Sequence, residues 1–292
     1  MSELRTRFRR MVVGLPQRIA DQGSIEAAAD LAELLDLELL ATFVADETLL
    51  ALAELPVARE LRTLEQSWQT IDPAQITRDI ERAESIARRQ FAESIKSRTL
   101  KTGFDVLAGS EAIARLIRAD DIVAIIEPTH PGERITRQFT GLFNAALEVA
   151  AATLAIPRRI LRTTGPILAL AGDSDDRGVR AGLEIAAALK ERLIVATRPG
   201  AGLPDDLRSY AHELGVQLEY SFTGVSPAEA LAQAHSQARS LERLRVITRS
   251  LLPDDASKLF SWLAGVPLLI VGPDWKEFAT AAEEAAPKSS SA

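Results

Sequence analysis

Few side chains in this 292-residue sequence have the types and spacing that chemistry needs. Asp173, Asp175 and Asp176 crowd one loop, and three carboxylates so placed could hold Mg²⁺ through oxygen ligands. The same acids suit the start of the helix that follows, where capping and the helix dipole favour them. His130 lies just past the end of an apolar run, where open α/β sheets bind ligands, and could act as an acid–base or phosphate contact. No partner for it is visible, and simple exposure accounts for such a residue as well. His212 and His235 fall within helical patterns. There is no cysteine, which rules out disulfides, thiol catalysis and cysteine-ligated zinc or iron–sulfur centres. A Gly-x-Ser-x-Gly elbow, a Gly-Lys-Ser/Thr phosphate loop and a Gly-x-Gly-x-x-Gly fingerprint are all missing. No catalytic constellation stands out, so the expectation is a protein that is not an enzyme and holds no metal.

The composition narrows the partners. A formal net charge of −7 opposes the basic footprint that nucleic acid requires. No window approaches the roughly 18 consecutive apolar residues of a membrane span, and no secretory pattern opens the chain. A cytoplasmic protein with no nucleic-acid or membrane partner is expected. Arg5, Arg7, Arg9 and Arg10 read as a solvated start, and residues 276–292 as a flexible tail.

Behind the chemistry lies a regular alternation of short apolar runs and longer amphipathic segments, which signals βα units and a parallel sheet. Strands are expected at 11–15, 39–44, 102–107 and 121–126. A helix is expected from Ser24, as N-cap, to Leu37, and another over 110–118. The insert 47–69 reads as helical, broken at Pro56. Over 73–97, Asp72 caps, Pro73 takes the first helical position, and Ile76, Ile80, Ala83, Ala87, Phe91 and Ile95 form one stripe. The opposite face, with Arg78, Glu81, Arg82, Arg88 and Arg89, reads as solvated. A helix from about 134 through 152 then leads into Pro157. The second half predicts strands at 167–171, 193–197, 217–222, 244–248 and 266–271, with helices at 177–189, 205–214, 227–240 and 256–263.

Both halves spend their elements in the same order. DLAELLDLELL at 30–40 lies over EIAAALKERLI at 184–194 without a gap, acid over acid at the first position and apolar residues matching across the buried positions. Ala27 and Ala28 fall over Ala181 and Gly182, small residues that let a helix lie close to the strand before it. The fourth strands, near Ile122 and Val246, align about 124 residues apart.

A duplicated five-strand βα unit resembles the universal stress protein family in its tandem form. ILALAGDS at 167–174 is similar to the family's opening strand and acidic loop, and RAGLEIA at 180–186 to its first helix. GVPLLIV at 265–271 is similar to its closing strand, and DDIVAII at 120–126 to its fourth. The resemblance implies Rossmann-like sheets, dimerisation through closing strands and, in some members, ATP at the strand tips. An acid after the first strand and a Gly-x2-Gly-x9-Gly-Ser/Thr loop after the fourth would hold the nucleotide. On that pattern Asp173, Ser174, His130, Gly132 and Gly141 are the candidate binding residues. The match is divided. EPTHPGE at 127–133 and TGLF at 140–143 keep Gly132 and Gly141 but lack the first glycine pair, and Leu142 stands at the hydroxyl position. GLPQR at 14–18 has no acid, while RSLLPDD at 249–255, in the half that has Asp173, has no glycine.

The expected architecture is therefore α/β: two tandem Rossmann-like, universal-stress-type parallel-sheet domains packed as an intramolecular pseudo-dimer. Residues 1–10 form the N-terminus, 11–162 the first domain, 163–275 a shorter second domain and 276–292 the tail. The closing strands should pair within the chain through segments 166–171 and 267–271, leaving two sheets rather than one. The expected function is a stress-associated regulatory or binding protein with a degenerate nucleotide site, no cofactor in the main reading, ATP as the alternative, and a protein partner, with a homodimer as the alternative to the intramolecular pseudo-dimer. A nucleotide-dependent enzyme using His130 or Asp173 is the rival reading. A partner-binding module using the insert 47–69 is a third.

Overall fold

The computed structural model describes residues 9–15, 22–45, 47–62, 66–108, 112, 115–128, 132, 137–171, 177–197, 202–222, 241–252, 259 and 263–272. The first half contains β1 (Arg10–Leu15), α1 (Gln22–Leu34), β2 (Glu38–Ala45), α2 (Glu47–Ala53), β3 (Arg59–Arg62) and β4 (Ser67–Thr70). It continues with α3 (Pro73–Ile95), β5 (Thr102–Ala108), β6 (Asp121–Ile126), α4 (Arg137–Val149) and β7 (Ala152–Ile156). The second contains β8 (Ile167–Leu170), α5 (Arg177–Leu189), β9 (Leu193–Thr197), α6 (Asp205–Glu213), β10 (Leu218–Phe222), β11 (Leu244–Thr248) and β12 (Leu268–Val271).

Ten strands form one sheet in the order β10-β9-β8-β11-β12-β7-β6-β1-β2-β5. Within each half every pairing of this sheet is parallel, and the halves meet where β12 pairs antiparallel with β7. Strands such as β6, with all six residues buried, are covered on both faces, which is why they are continuous apolar runs.

Two expectations about the seam change. The sheets are not separate, because edge pairing of closing strands carries the hydrogen-bond ladder across the boundary. The first-half partner is β7, whereas β8 is interior, between β9 and β11. The sequence conceals β7: Ala150 and Ala151 join α4 to it without a glycine, proline or polar break, so the apolar run reads as helix through 152.

One register row crosses the whole sheet: Phe104, Ala41, Val13, Ala124, Leu154, Leu269, Val246, Ala169, Val195, Tyr220. Its two ends mirror one another, and Leu154 faces Leu269 at the centre. Ala41 thus matches Val195 at the separation found between the helices. Ala124, not Ile122, matches Val246, two residues from the sequence alignment but on the same face of the strand.

The helices carry the same correspondence. Asp36 and Lys190, matched in the ungapped alignment, both take left-handed backbone, with φ of 55° and 56°. Leu37 N–H donates to the Ala32 carbonyl at 2.8 Å, and Glu191 N–H to that of Ala186 at 2.9 Å. The two helices end in one Schellman-type cap, repeated. Small residues do let the helix lie close: a Cβ on Gly182 would stand 3.1 Å from that of Ala169 on β8.

Ser24 is not a cap. It is the third residue of α1, fully buried, and its hydroxyl donates to the carbonyls of Pro157 (3.1 Å) and Arg158 (3.2 Å) in the connection between halves. The cap at Asp72 is as expected, accepting from Ala74 N–H at 3.0 Å, and Ala87 and Phe91 bury the end of the α3 stripe. Arg88 stays exposed as expected, with its guanidinium 4.2 Å over the Phe104 ring. After Pro56 the insert forms the β3–β4 hairpin rather than a second helix, with Leu61 opposite Trp68. α2 ends before the proline, and beyond it Arg59–Arg62 pairs across the hairpin with Ser67–Thr70, where Trp68 and Thr70 favour the strand. The expected helix at 227–240 and the tail at 276–292 lie outside the described residues, as do residues 110, 111, 113 and 114 of the expected helix at 110–118.

Candidate functional site

In each half the sheet order reverses between the first and fourth strands: β1 beside β6, and β8 beside β11. Open α/β sheets bind ligands outside the carboxyl ends of strands at such a reversal. At the first crevice Gly14 is the penultimate residue of β1, and its neighbour on β6 is Ile125. A Cβ on Gly14 would lie 2.7 Å from Cδ2 of Leu142, in the first turns of α4. The leucine thus presses against bare backbone at the strand tip. Its place in α4 follows from the pattern in which Phe139, Leu142, Phe143 and Ala146 turn toward the sheet, with Phe143 and Ala146 buried.

Glu127, which follows β6, is turned to the seam. Its N–H donates to the Ile156 carbonyl at 2.8 Å, and its carboxylate accepts from Arg158 N–H at 2.9 Å. Gly132 is exposed, with no atom within 4 Å of the place its Cβ would take. Gly141 lies half-buried in α4 beside Leu142. His130 lies outside the described residues, so of the first-half candidates only the two glycines are placed.

At the second crevice α5 closes directly on the end of β11: a Cβ on Gly178 would lie 3.1 Å from Thr248 N. Thr248 and Ser250 share a hydroxyl hydrogen bond of 3.1 Å, and Arg249–Leu251 form a single 3₁₀ turn closed by Leu252 N–H on the Arg249 carbonyl. Asp173, Ser174, Asp175 and Asp176 lie outside the described residues. Among the described residues no group of three or more His, Asp or Glu side chains could hold a metal ion. His212 is exposed in the last turn of α6.

The charged groups that sequence reasoning passed over lie at the other edge of the sheet. Arg10 belongs to β1 rather than to a solvated start. Its Nε donates to Asp121 Oδ1 at 3.0 Å and its Nη2 to Oδ2 at 2.6 Å, with the Leu116 carbonyl as a further acceptor at 2.9 Å. The Asp121 hydrogen bond raises the Arg10 pKa above the ordinary arginine value, against the opposing effect of burial. In the second half Arg245, 1% exposed, donates to Glu242 from Nε at 3.0 Å and Nη2 at 2.8 Å. The signal was a charge set into, or directly before, an apolar strand run. Both pairs lie at the amino ends of strands, with Asp121 opening β6 beside Arg10 of β1 and Arg245 near the start of β11, away from the ligand crevices, and they brace the sheet.

A doubled parallel unit whose order reverses at two crevices defines a Rossmann-like α/β protein. Two such units joined through closing strands make the fold of a universal stress protein. A universal stress protein from Archaeoglobus fulgidus matches with a TM-score of 0.64 at 11% identity, over 93% of this chain and 99% of that one. A functionally unknown protein from Pseudomonas aeruginosa PAO1 matches with a TM-score of 0.51 at 15% identity, over 97% of this chain and 100% of that one. In sequence, no protein-family description and no curated protein matches the chain. Among the described residues no helix is long and apolar enough to cross a membrane.

Proposed function

We propose that this chain is a tandem protein of the universal stress type that acts as a stress-associated regulatory or binding module in the cytoplasm, without catalysis. Its nucleotide crevices are degenerate. The observation that carries this reading is Leu142 lying against Gly14 at the first crevice, where the family pattern has a hydroxyl. An apolar side chain there offers phosphate no hydrogen bond and occupies the approach to the strand tip. The glycine-free 3₁₀ turn after β11 supports the same reading for the second crevice. The repeated caps and the mirrored register row support duplication of one ancestral unit.

Thermal unfolding with ATP, AMP and no nucleotide, each with and without Mg²⁺, tests the reading. No shift is expected at millimolar nucleotide. A ligand at a hundred times its dissociation constant would contribute about 2.7 kcal/mol, and a saturable shift of that size overturns the proposal.

Partner binding through the insert is favoured by one feature of its surface. Leu52, Leu55, Val57, Leu61 and Trp68 are all exposed, Trp68 to 64% and Val57 to 84%, and they fall within a short stretch of chain. Large apolar side chains gathered on one segment mark an interaction surface. Deleting the insert should abolish capture of a protein partner and leave the sheet folded.

A further inference from the structure

A cleft lies over the seam between the halves, away from both ligand crevices. Its walls are α1 and the end of α5, its floor is β7 and the starts of β11 and β12, and the connection after Pro157 borders it. Leu31, Ile156, Leu189 and Pro267 make it largely apolar. Its volume of about 50 Å³ has room for roughly four water molecules, the bulk of a short alkyl chain. Both ends of the connection are fastened, by Ser24 on Pro157 and Arg158 and by Glu191 on Gly165 N–H at 3.0 Å, so the cleft is built and not a gap between loose parts.

The polar groups at this cleft are unbalanced. Asp30 is its carboxylate, and it is already engaged by Arg98. Arg162 and Arg243 are its cations. Arg243 is half-buried and makes no side-chain hydrogen bond or ion pair among the described residues; Glu191 and Asp30 act on it only at longer range. A guanidinium held partly out of water without a hydrogen-bonded anion is a vacant place for one.

The geometry points to a binding site for a short-chain carboxylate, its head on Arg243 and Arg162 and its tail in the seam between Leu31, Leu189 and Pro267. Guanidinium offers a planar fork that suits a carboxylate, and the apolar floor suits a tail of about four carbons. The inference does not rest on the state of the nucleotide crevices. Burial lowers the Arg243 pKa in the free protein, with Glu191 and Asp30 opposing, and a bound carboxylate would relieve that cost.

The test is calorimetric titration of the full chain with pentanoate, 1-pentanol, pentylammonium and decanoate. Pentanoate should bind once per chain, with a dissociation constant below about 1 mM. Pentanol and pentylammonium should bind at least tenfold more weakly, and decanoate no better than pentanoate. Arg243→Met should weaken pentanoate at least tenfold, as expected for losing a charge-assisted hydrogen bond. Leu31→Trp should block it by filling the cleft. The proposal is overturned by absence of saturable pentanoate binding, by equal binding of pentanol, or by unchanged affinity in Arg243→Met. The ligand series on the unaltered protein decides the matter even where a variant does not fold.

Discussion

Removing Asp121 should cost more than any exposed ion pair in the molecule contributes. Its carboxylate is 1% exposed and the Arg10 side chain 11%, and two hydrogen bonds of 3.0 and 2.6 Å join them. A third, from Arg118 N–H at 2.8 Å, would also lose its acceptor in Asp121→Ala. The variant leaves a guanidinium near the start of β1 with only the Leu116 carbonyl as acceptor. Breaking a buried pair from one side costs about 3–5 kcal/mol. Arg10 retains some solvent, so the loss should fall near 3. For a chain of this size that lowers the melting temperature by roughly 5 °C. Arg10→Met with Asp121→Leu should recover most of the loss, because an apolar pair of similar volume leaves no charge behind. Urea unfolding followed by circular dichroism measures both. A single-variant loss below about 1 kcal/mol would mean the pair is as solvated as a surface bridge. A double variant as unstable as the single would refute the argument from the stranded charge.

Three further outcomes follow from particular contacts. Gly165→Ala should cost more than about 2 kcal/mol in the same assay, since its φ is 124° and a Cβ would stand 2.3 Å from the Leu241 carbonyl oxygen. Leu154→Ala and Leu269→Ala should each cost about 2–5 kcal/mol, and their double variant should be non-additive, because the two side chains face one another across the seam. Trp68→Ser should leave the unfolding free energy within about 0.5 kcal/mol while weakening partner capture by the insert, since the ring is largely in solvent.

The candidate site was only partly legible. Leu142 at the hydroxyl position, and the glycine-free stretch after β11, were visible as departures from a pattern. That Leu142 rests on Gly14 was not, because a contact between the end of β1 and a helix more than a hundred residues later has no local trace. The seam cleft had none either. Its two arginines come from a connection and a strand start, and its apolar wall from helices in different halves.

Order and period were the sequence's own contribution. Apolar runs alternating with amphipathic segments give βα units, because a parallel strand needs a helix to return the chain. The matched run at 30–40 and 184–194 let the repeat be seen before the fold, but its helix stops, at Asp36 and Lys190 rather than at glycines, came only with the structure. Which strand lies at the seam was decided by tertiary structure alone. Ala152–Ile156 has no break before it and no local reason to leave the helix. It becomes a strand because one edge of it meets β6 and the other meets β12, and both ladders exist only when the halves are assembled. The buried charges followed the same course. Arg10 looks solvated beside its neighbours in sequence, and only the return of β6 brings Asp121 within reach of it.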